Sequence, residues 1–244
     1  MQPRRMVAWL SALACAVALG CADDNPVKTL DSRLRLVHAS SNTGNVDVYI
    51  DGLQVAQNVV YGTGSAYMNV RAGSKTIQVR NAGTATVVVE TTQNLVGNTD
   101  NTLLIANMNS TVQAWLVPDD NSPPSDGNIR LRVVQAAPSA GGLDIYLTAP
   151  TGDLGAVMPN FTNIQFHNYT PYLEVASGQW RVRATPTGTK TVGTDTGSLT
   201  LSRRIRSRIC ASPALTCMRR RMSSSVELID TGAQSSVSSS SVAA

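Results

Sequence analysis

One stretch of this chain occurs twice. Arg33-Leu34-Arg35-Leu36-Val37-His38-Ala39 returns as Arg130-Leu131-Arg132-Val133-Val134-Gln135-Ala136, and the match runs without a gap through Gly44/Gly141, Asp47/Asp144 and Tyr49/Tyr146 to Ile50/Leu147. Further on, Tyr67-Met68-Asn69-Val70-Arg71-Ala72-Gly73 matches Tyr172-Leu173-Glu174-Val175-Ala176-Ser177-Gly178 at a larger offset. The second copy therefore holds a longer loop, around residues 149–163. Register kept on both sides of an insertion marks two copies of one folding unit. Between them, residues 118–127 are rich in Pro, Asp and Ser, the composition of a linker.

Each copy reads as strands. Leu34 and Leu36 share one face of an extended segment and Arg33, Arg35 and Val37 the other, a period of two. Val46-Asp47-Val48-Tyr49-Ile50 alternates likewise and ends in the turn signal Asp51-Gly52. Thr76–Arg80, Thr86–Glu90, Thr102–Met108 and Thr111–Val117 continue the series, the third nearly all apolar and so central. Aromatics make up only 5% of the chain, while Val, Thr, Asn and Gly fill its long middle. Short strands joined by polar turns, with no helical period between them, predict all-β architecture and exclude βαβ units. The expected fold is two tandem antiparallel β-sandwich domains of immunoglobulin-like type, over residues 33–118 and 129–201, joined by a linker at 119–128.

The series Leu36-Val37-His38-Ala39-Ser40, Val46-Asp47-Val48-Tyr49-Ile50-Asp51-Gly52, Tyr61-Gly62-Thr63-Gly64-Ser65-Ala66-Tyr67 and Val70-Arg71-Ala72-Gly73 resembles the DUF4397 family. The resemblance covers about residues 33–201. It implies exported bacterial β-rich domains, often in tandem, and brings no active site with it.

The start of the chain predicts export. Arg4 and Arg5 precede an uncharged, mostly apolar run over residues 6–19. That run is shorter than the roughly 20 residues a spanning helix needs, and fits a secretory signal. It ends Ala18-Leu19-Gly20-Cys21, similar to a bacterial lipobox, in which the cysteine is acylated and becomes the new N-terminus. Leucine is more usual where Ala18 stands, Cys15 is a second candidate, and an ordinary signal cleavage is the alternative. Residues 1–21 are thus read as a signal peptide, Cys21 as the lipidation site and residues 22–32 as a tether. Ala22 follows the cysteine, so inner-membrane retention is not indicated. The expected location is the cell envelope, lipid-anchored to the outer membrane, or else periplasmic or extracellular.

The net charge of +4 misleads, because the excess of positive charge lies at the two ends of the chain. Residues 22–201 hold more acidic than basic side chains, so the folded part carries no basic footprint for nucleic acid. Residues 202–244 break the repeat: Arg203, Arg204, Arg206 and Arg208, then Arg219, Arg220 and Arg221, then a serine-rich end. Two readings stand for this tail. A frameshift near Ser202 would leave the second domain incomplete, whereas a native, disordered basic tail would contact anionic lipid or polymer. In the second case an oxidising compartment permits a disulfide between Cys210 and Cys217.

No catalytic, metal or cofactor set is assigned. His38 aligns with Gln135, so its position does not demand an imidazole. Asp47 and Asp144 come one from each domain and are read as structural, each bonded to a neighbouring turn. Asp119, Asp120, Asn121 and Asp126 lack the spacing of a calcium loop. Tyr61, Tyr67, Tyr169 and Tyr172, with His167 on a rim, are the candidate ligand contacts, since tyrosine can offer a ring face and a polar tip together; packing at a sandwich end is the competing role. These residues lead to a non-enzymatic envelope interaction or structural module. A carbohydrate-binding accessory lipoprotein is the alternative, and an envelope hydrolase with a dispersed site ranks third. The partners expected are a membrane, reached through the N-terminal lipid, and an envelope protein or polysaccharide.

Overall fold

The computed structural model describes residues 30–108, 111–202, 208–211, 216–219 and 225–230. The first unit contains β1 (Asp31–His38), β2 (Val46–Ile50), β3 (Leu53–Val59), β4 (Met68–Arg71), β5 (Gly73–Asn81), β6 (Val87–Leu95), β7 (Asp100–Met108) and β8 (Thr111–Asp119). They form two sheets, ordered β4-β1-β7-β8 and β3-β2-β5-β6. Leu34, Leu36, Val46, Val48, Ile77, Val79, Leu103 and Ile105 fill the space between the sheets. Alternation placed these residues on the inner faces, and each buried aliphatic side chain contributes roughly 1.5–3 kcal/mol.

The second unit contains β9 (Asn128–Gln135), β10 (Leu143–Thr148), β11 (Phe161–Ile164), β12 (Leu173–Ala176), β13 (Gly178–Pro186), β14 (Thr194–Asp195) and β15 (Leu199–Leu201). Its outer sheet runs β11-β10-β13-β14, with β15 also pairing β13. Ile129, Leu131, Val133, Leu143, Ile145, Val182, Leu199 and Leu201 form its core. Three further strands follow: β16 (Arg208–Ala211), β17 (Thr216–Arg219) and β18 (Ser225–Asp230). The first two make a hairpin. The third lies parallel to β9 from Ser225↔Arg130 to Asp230↔Gln135, as β7 lies parallel to β1.

Two features differ from the sequence expectation. Each sandwich includes one parallel pair, because a strand distant in sequence closes beside the first strand of its unit. Strand structure also continues beyond residue 201, since Ser225–Asp230 supplies hydrogen-bonding partners for an edge of β9. That segment is too short and too close to arginines and serines to stand out by composition.

β1 and β9 are buried on both faces. Leu34 and Leu36 point into the first core, while Val37 and Ala39 point the other way and are equally buried. They meet Leu104, Ala106, Trp115 and Val117 from their own sheet, and Val134 and Ala136 from β9, with Phe166 packed alongside. The four sheets are therefore stacked, and the middle two press together across the seam between the units. Isolated alternation cannot distinguish a solvated outer face from one covered by a second layer.

Candidate functional site

The repeated Asp47 and Asp144 fasten turns. Asp47 accepts hydrogen bonds from the backbone N–H of Asn58 at 2.7 Å and of Gly83 at 3.0 Å. Asp144 accepts from Asn163 N–H and Gly188 N–H, both at 2.9 Å. Asn58 and Asn163 have φ of 51° and 53°, the left-handed region that asparagine tolerates best among residues with a Cβ. Each buried carboxylate thus holds two loops of its own unit, the structural role expected for it.

His38 and Gln135 perform one task with different chemistry. His38 Nε2 lies 3.0 Å from the Gly44 carbonyl, and its Nδ1 accepts from Ser40 N–H at 3.3 Å. Gln135 Nε2 donates to the Gly141 carbonyl at 3.3 Å, and its Oε1 accepts from Ala137 N–H at 2.8 Å. A neutral imidazole with one donor and one acceptor nitrogen reproduces the amide. Burial pushes the His38 pKa down, partly opposed by the Gly44 carbonyl.

The densest polar cluster lies at the seam, centred on Asp119, whose side chain is fully buried. Its carboxylate receives Arg35 NH2 at 3.4 Å, Thr102 Oγ1 at 2.7 Å, and contacts from Arg132 NH2 and Tyr67 Oη. Arg132 NH1 also donates to the Pro118 carbonyl at 2.6 Å. Arg35 and Arg132 occupy the same position in the two repeats, so one carboxylate serves an arginine from each unit. Buried ion pairs of this kind stabilise little over an apolar isostere, but losing one partner costs about 3–5 kcal/mol.

Three of the candidate tyrosines converge here. Tyr67 lies 5.3 Å from the guanidinium carbons of both Arg33 and Arg35; burial first, and then the Asp119 carboxylate, raise its pKa, against the pull of Arg35. Tyr172 lies under Arg130 at 4.5 Å and Arg132 at 4.9 Å. Tyr169 lies 5.4 Å from Arg132 and is 42% exposed. Tyr61 instead packs edge-on against His38 at 6.2 Å. His167, at φ 72°, tilts over Trp115 of the other unit at 4.2 Å, and burial lowers its pKa. Cys21 lies outside the described residues. The rings of Tyr67 and Tyr172 each face arginines of their own unit beside the seam, not an open aromatic groove.

Sequence reading missed the Arg35–Asp119–Arg132 cluster. The signal was an arginine repeated on the face opposite the core leucines, but its meaning depended on what lay across from it. Beside the cluster is an open cleft of about 700 Å³ lined by Asp31, Arg33, Asn98, Asp100, Asn121 and Ser122, among others. Arg33 Nε donates to Asp100 at 2.6 Å, and Arg130 NH2 to Asp120 at 2.5 Å. Among the described residues no group of three or more His, Cys, Asp or Glu side chains could hold a metal ion.

Residues 32–146 match the family described as domain of unknown function DUF4397. The match runs past the first unit and the linker into β10, so it includes strands from both sides of the seam. No curated protein matches the chain. Among solved structures, an α-glucan-binding streptococcal virulence factor shares 10% identity over 84% of this chain and 95% of its own, with a TM-score of 0.29. A family CBM26 module of Eubacterium rectale Amy13K, solved with maltoheptaose, shares 11% identity over 84% and 93%, with a TM-score of 0.26. The Bacillus anthracis TIE protein shares 9% over 84% of this chain and 34% of its own, with a TM-score of 0.21. Likeness at this level assigns no ligand.

Proposed function

We propose that this chain is a non-enzymatic interaction or structural module of the bacterial cell envelope, exported by its N-terminal signal and held at a membrane by lipid on Cys21. The observation that carries the reading is the seam. Two β-sandwich units bury one apolar face against each other and share Asp119 as a common counter-ion, which makes a two-unit body suited to presenting surfaces at fixed spacing. The polar groups most suggestive of chemistry are committed to this framework: Asp47 and Asp144 hold turns, and His38 bridges a loop. The two units descend from one repeated DUF4397-like unit, as their shared Asp, Arg and His/Gln positions suggest.

Polysaccharide is the second ligand class. The open cleft between the first unit and the linker favours it, because the Asp, Asn and Arg side chains that line it match the hydrogen-bonding needs of sugar hydroxyls. Pull-down from crosslinked envelope fractions, with the wild-type chain and Cys21→Ser, tests the reading. One protein enriched by both forms supports a folded-domain interaction, and enrichment lost with Cys21→Ser assigns the contact to lipid placement. No enriched protein with either form refutes protein interaction and leaves the polysaccharide reading.

A further inference from the structure

The longer loop of the second unit covers a face that the first unit leaves open. The register makes the two faces comparable: Tyr49 pairs with Gln78 on β5, and Tyr146 pairs with Arg183 on β13. These side chains point away from the cores. In the second unit residues 149–160 cross this outer face. Arg183 NH2 donates to the Gly152 carbonyl at 2.7 Å and Arg181 NH1 to the Pro150 carbonyl at 3.2 Å. Lys190 Nζ lies 4.4 Å over the Tyr146 ring and donates to the Leu154 carbonyl at 3.0 Å and to the Val157 carbonyl. Leu154 is buried beneath the loop, and Tyr146 is left only 2% exposed.

The first unit joins β2 to β3 by the tight Asp51-Gly52 turn and has no such loop. Tyr49 is half-buried, with the Arg80 guanidinium stacked 4.1 Å above its ring. Arg80 NH2 donates to Gln78 Oε1 at 2.6 Å, and Gln78 Nε2 to Glu90. Val87, beside Arg80 on β6, is 43% exposed. A cation over an aromatic ring, an amide, a carboxylate and an apolar side chain thus stand in two adjacent cross-strand rows, Tyr49-Gln78-Glu90 and Arg80-Val87, on an open sheet face. In the second unit the equivalent face is covered by two successive turns, with Gly152 N–H bonded to the Ala149 carbonyl and Val157 N–H to the Leu154 carbonyl; carbonyls of these turns accept from the cations while a leucine fills the gap.

We propose that the outer face around Tyr49, Gln78, Arg80, Val87 and Glu90 docks a turn-forming, carbonyl-presenting polypeptide segment of a partner protein, as the second unit docks its own residues 149–160. The proposal rests on the reading of the chain as an interaction module and names its contact surface. Backbone carbonyls of the segment accept from Arg80 and Gln78, Glu90 accepts a backbone N–H, and a small apolar side chain lies against Tyr49 and Val87.

The probe is a synthetic peptide with the sequence of residues 149–160, titrated into the isotope-labelled full chain and followed by amide chemical shifts. Shifts confined to β2, β5 and β6 around the five named residues are expected. Arg80→Ala and Tyr49→Ser should each weaken binding about tenfold or more. Gln78→Arg, which installs the residue found at this position in the second unit, should tighten it, and this gain does not depend on a damaged fold. Absent or scattered shifts, or affinity unchanged by Arg80→Ala, overturn the proposal. So do shifts of the same amides produced by maltooligosaccharide but not by peptide. If the envelope pull-down yields a partner while this titration fails, only the assigned face is wrong; if both fail, the interaction reading falls with it.

Discussion

Replacing Asp47 by alanine tests the idea that the repeated aspartates are structural fasteners. The carboxylate accepts from Asn58 N–H at 2.7 Å and Gly83 N–H at 3.0 Å, and the residue is 3% exposed. A hydrogen bond to a charged group contributes about 1.5–3 kcal/mol. Asp47→Ala removes two and frees a loop whose Asn58 sits at φ 51°, so a loss of about 3–6 kcal/mol is expected. Asp47→Asn keeps one acceptor oxygen but turns an amide N–H toward the other donor, and should lose at least half as much. Asp144→Ala, with both bonds at 2.9 Å, is an internal replicate and should fall within about 1 kcal/mol of Asp47→Ala. Urea unfolding followed by circular dichroism and tryptophan fluorescence measures all three. A loss below about 1 kcal/mol for either alanine variant, or an asparagine variant as stable as wild type, would refute the fastening role.

His38→Gln should leave the fold intact, because Gln135 already makes the equivalent bonds. Burial depresses the His38 pKa in the folded state, so its contribution to stability is complete above the unfolded pKa near 6.5 and is lost as pH falls through the folded value. Urea midpoints from pH 8 to pH 5 should therefore fall more steeply for wild type than for His38→Gln; parallel curves would contradict the assignment. Asp119→Ala deprives buried arginines of both units of their shared carboxylate and should cost about 3–5 kcal/mol. It should also separate one melting transition into two in calorimetry, and a single unshifted transition would count against the shared counter-ion. Trp115→Ala opens a cavity in the seam under Phe166 and His167 and should cost about 3–5 kcal/mol in denaturant unfolding; a surface-like loss of under about 0.5 kcal/mol would show the seam to be loose. Sequencing the gene across the Ser202 codon in several isolates tests the frameshift, and an unchanged frame excludes it.

Much of the fold was legible because strands declare themselves by a period of two. Leu34, Leu36, Val46, Val48, Leu103 and Ile105 alternate with residues of the opposite face, and all six lie in the first core. The repeat likewise exposed Asp47 and Asp144 as a shared device, and the alignment of His38 with Gln135 showed that an imidazole was not required. Candidate contacts were harder to judge. Tyrosine is suited equally to packing and to binding, so Tyr67 and Tyr172 could not be placed without knowing that Arg35, Arg130 and Arg132 would lie over them.

Local chemistry determined the all-β class, the strand positions, the inner faces and the longer loop of the second unit, since each depends on neighbours a few residues apart. Only the tertiary structure decided what the other faces meet. Alternation set Arg35 and Val37 on the face opposite Leu34 and Leu36 without saying what that face meets; they are 6% and 0% exposed because a second sandwich covers them. Asp119 read as part of a polar linker, yet its side chain is fully buried between two arginines. Tyr49 and Tyr146 are the same residue in the same repeated strand, and a loop closing over one and not the other makes the difference between an open face and a buried one. Burial depends on what packs across from a side chain, and residues distant in sequence supply that partner.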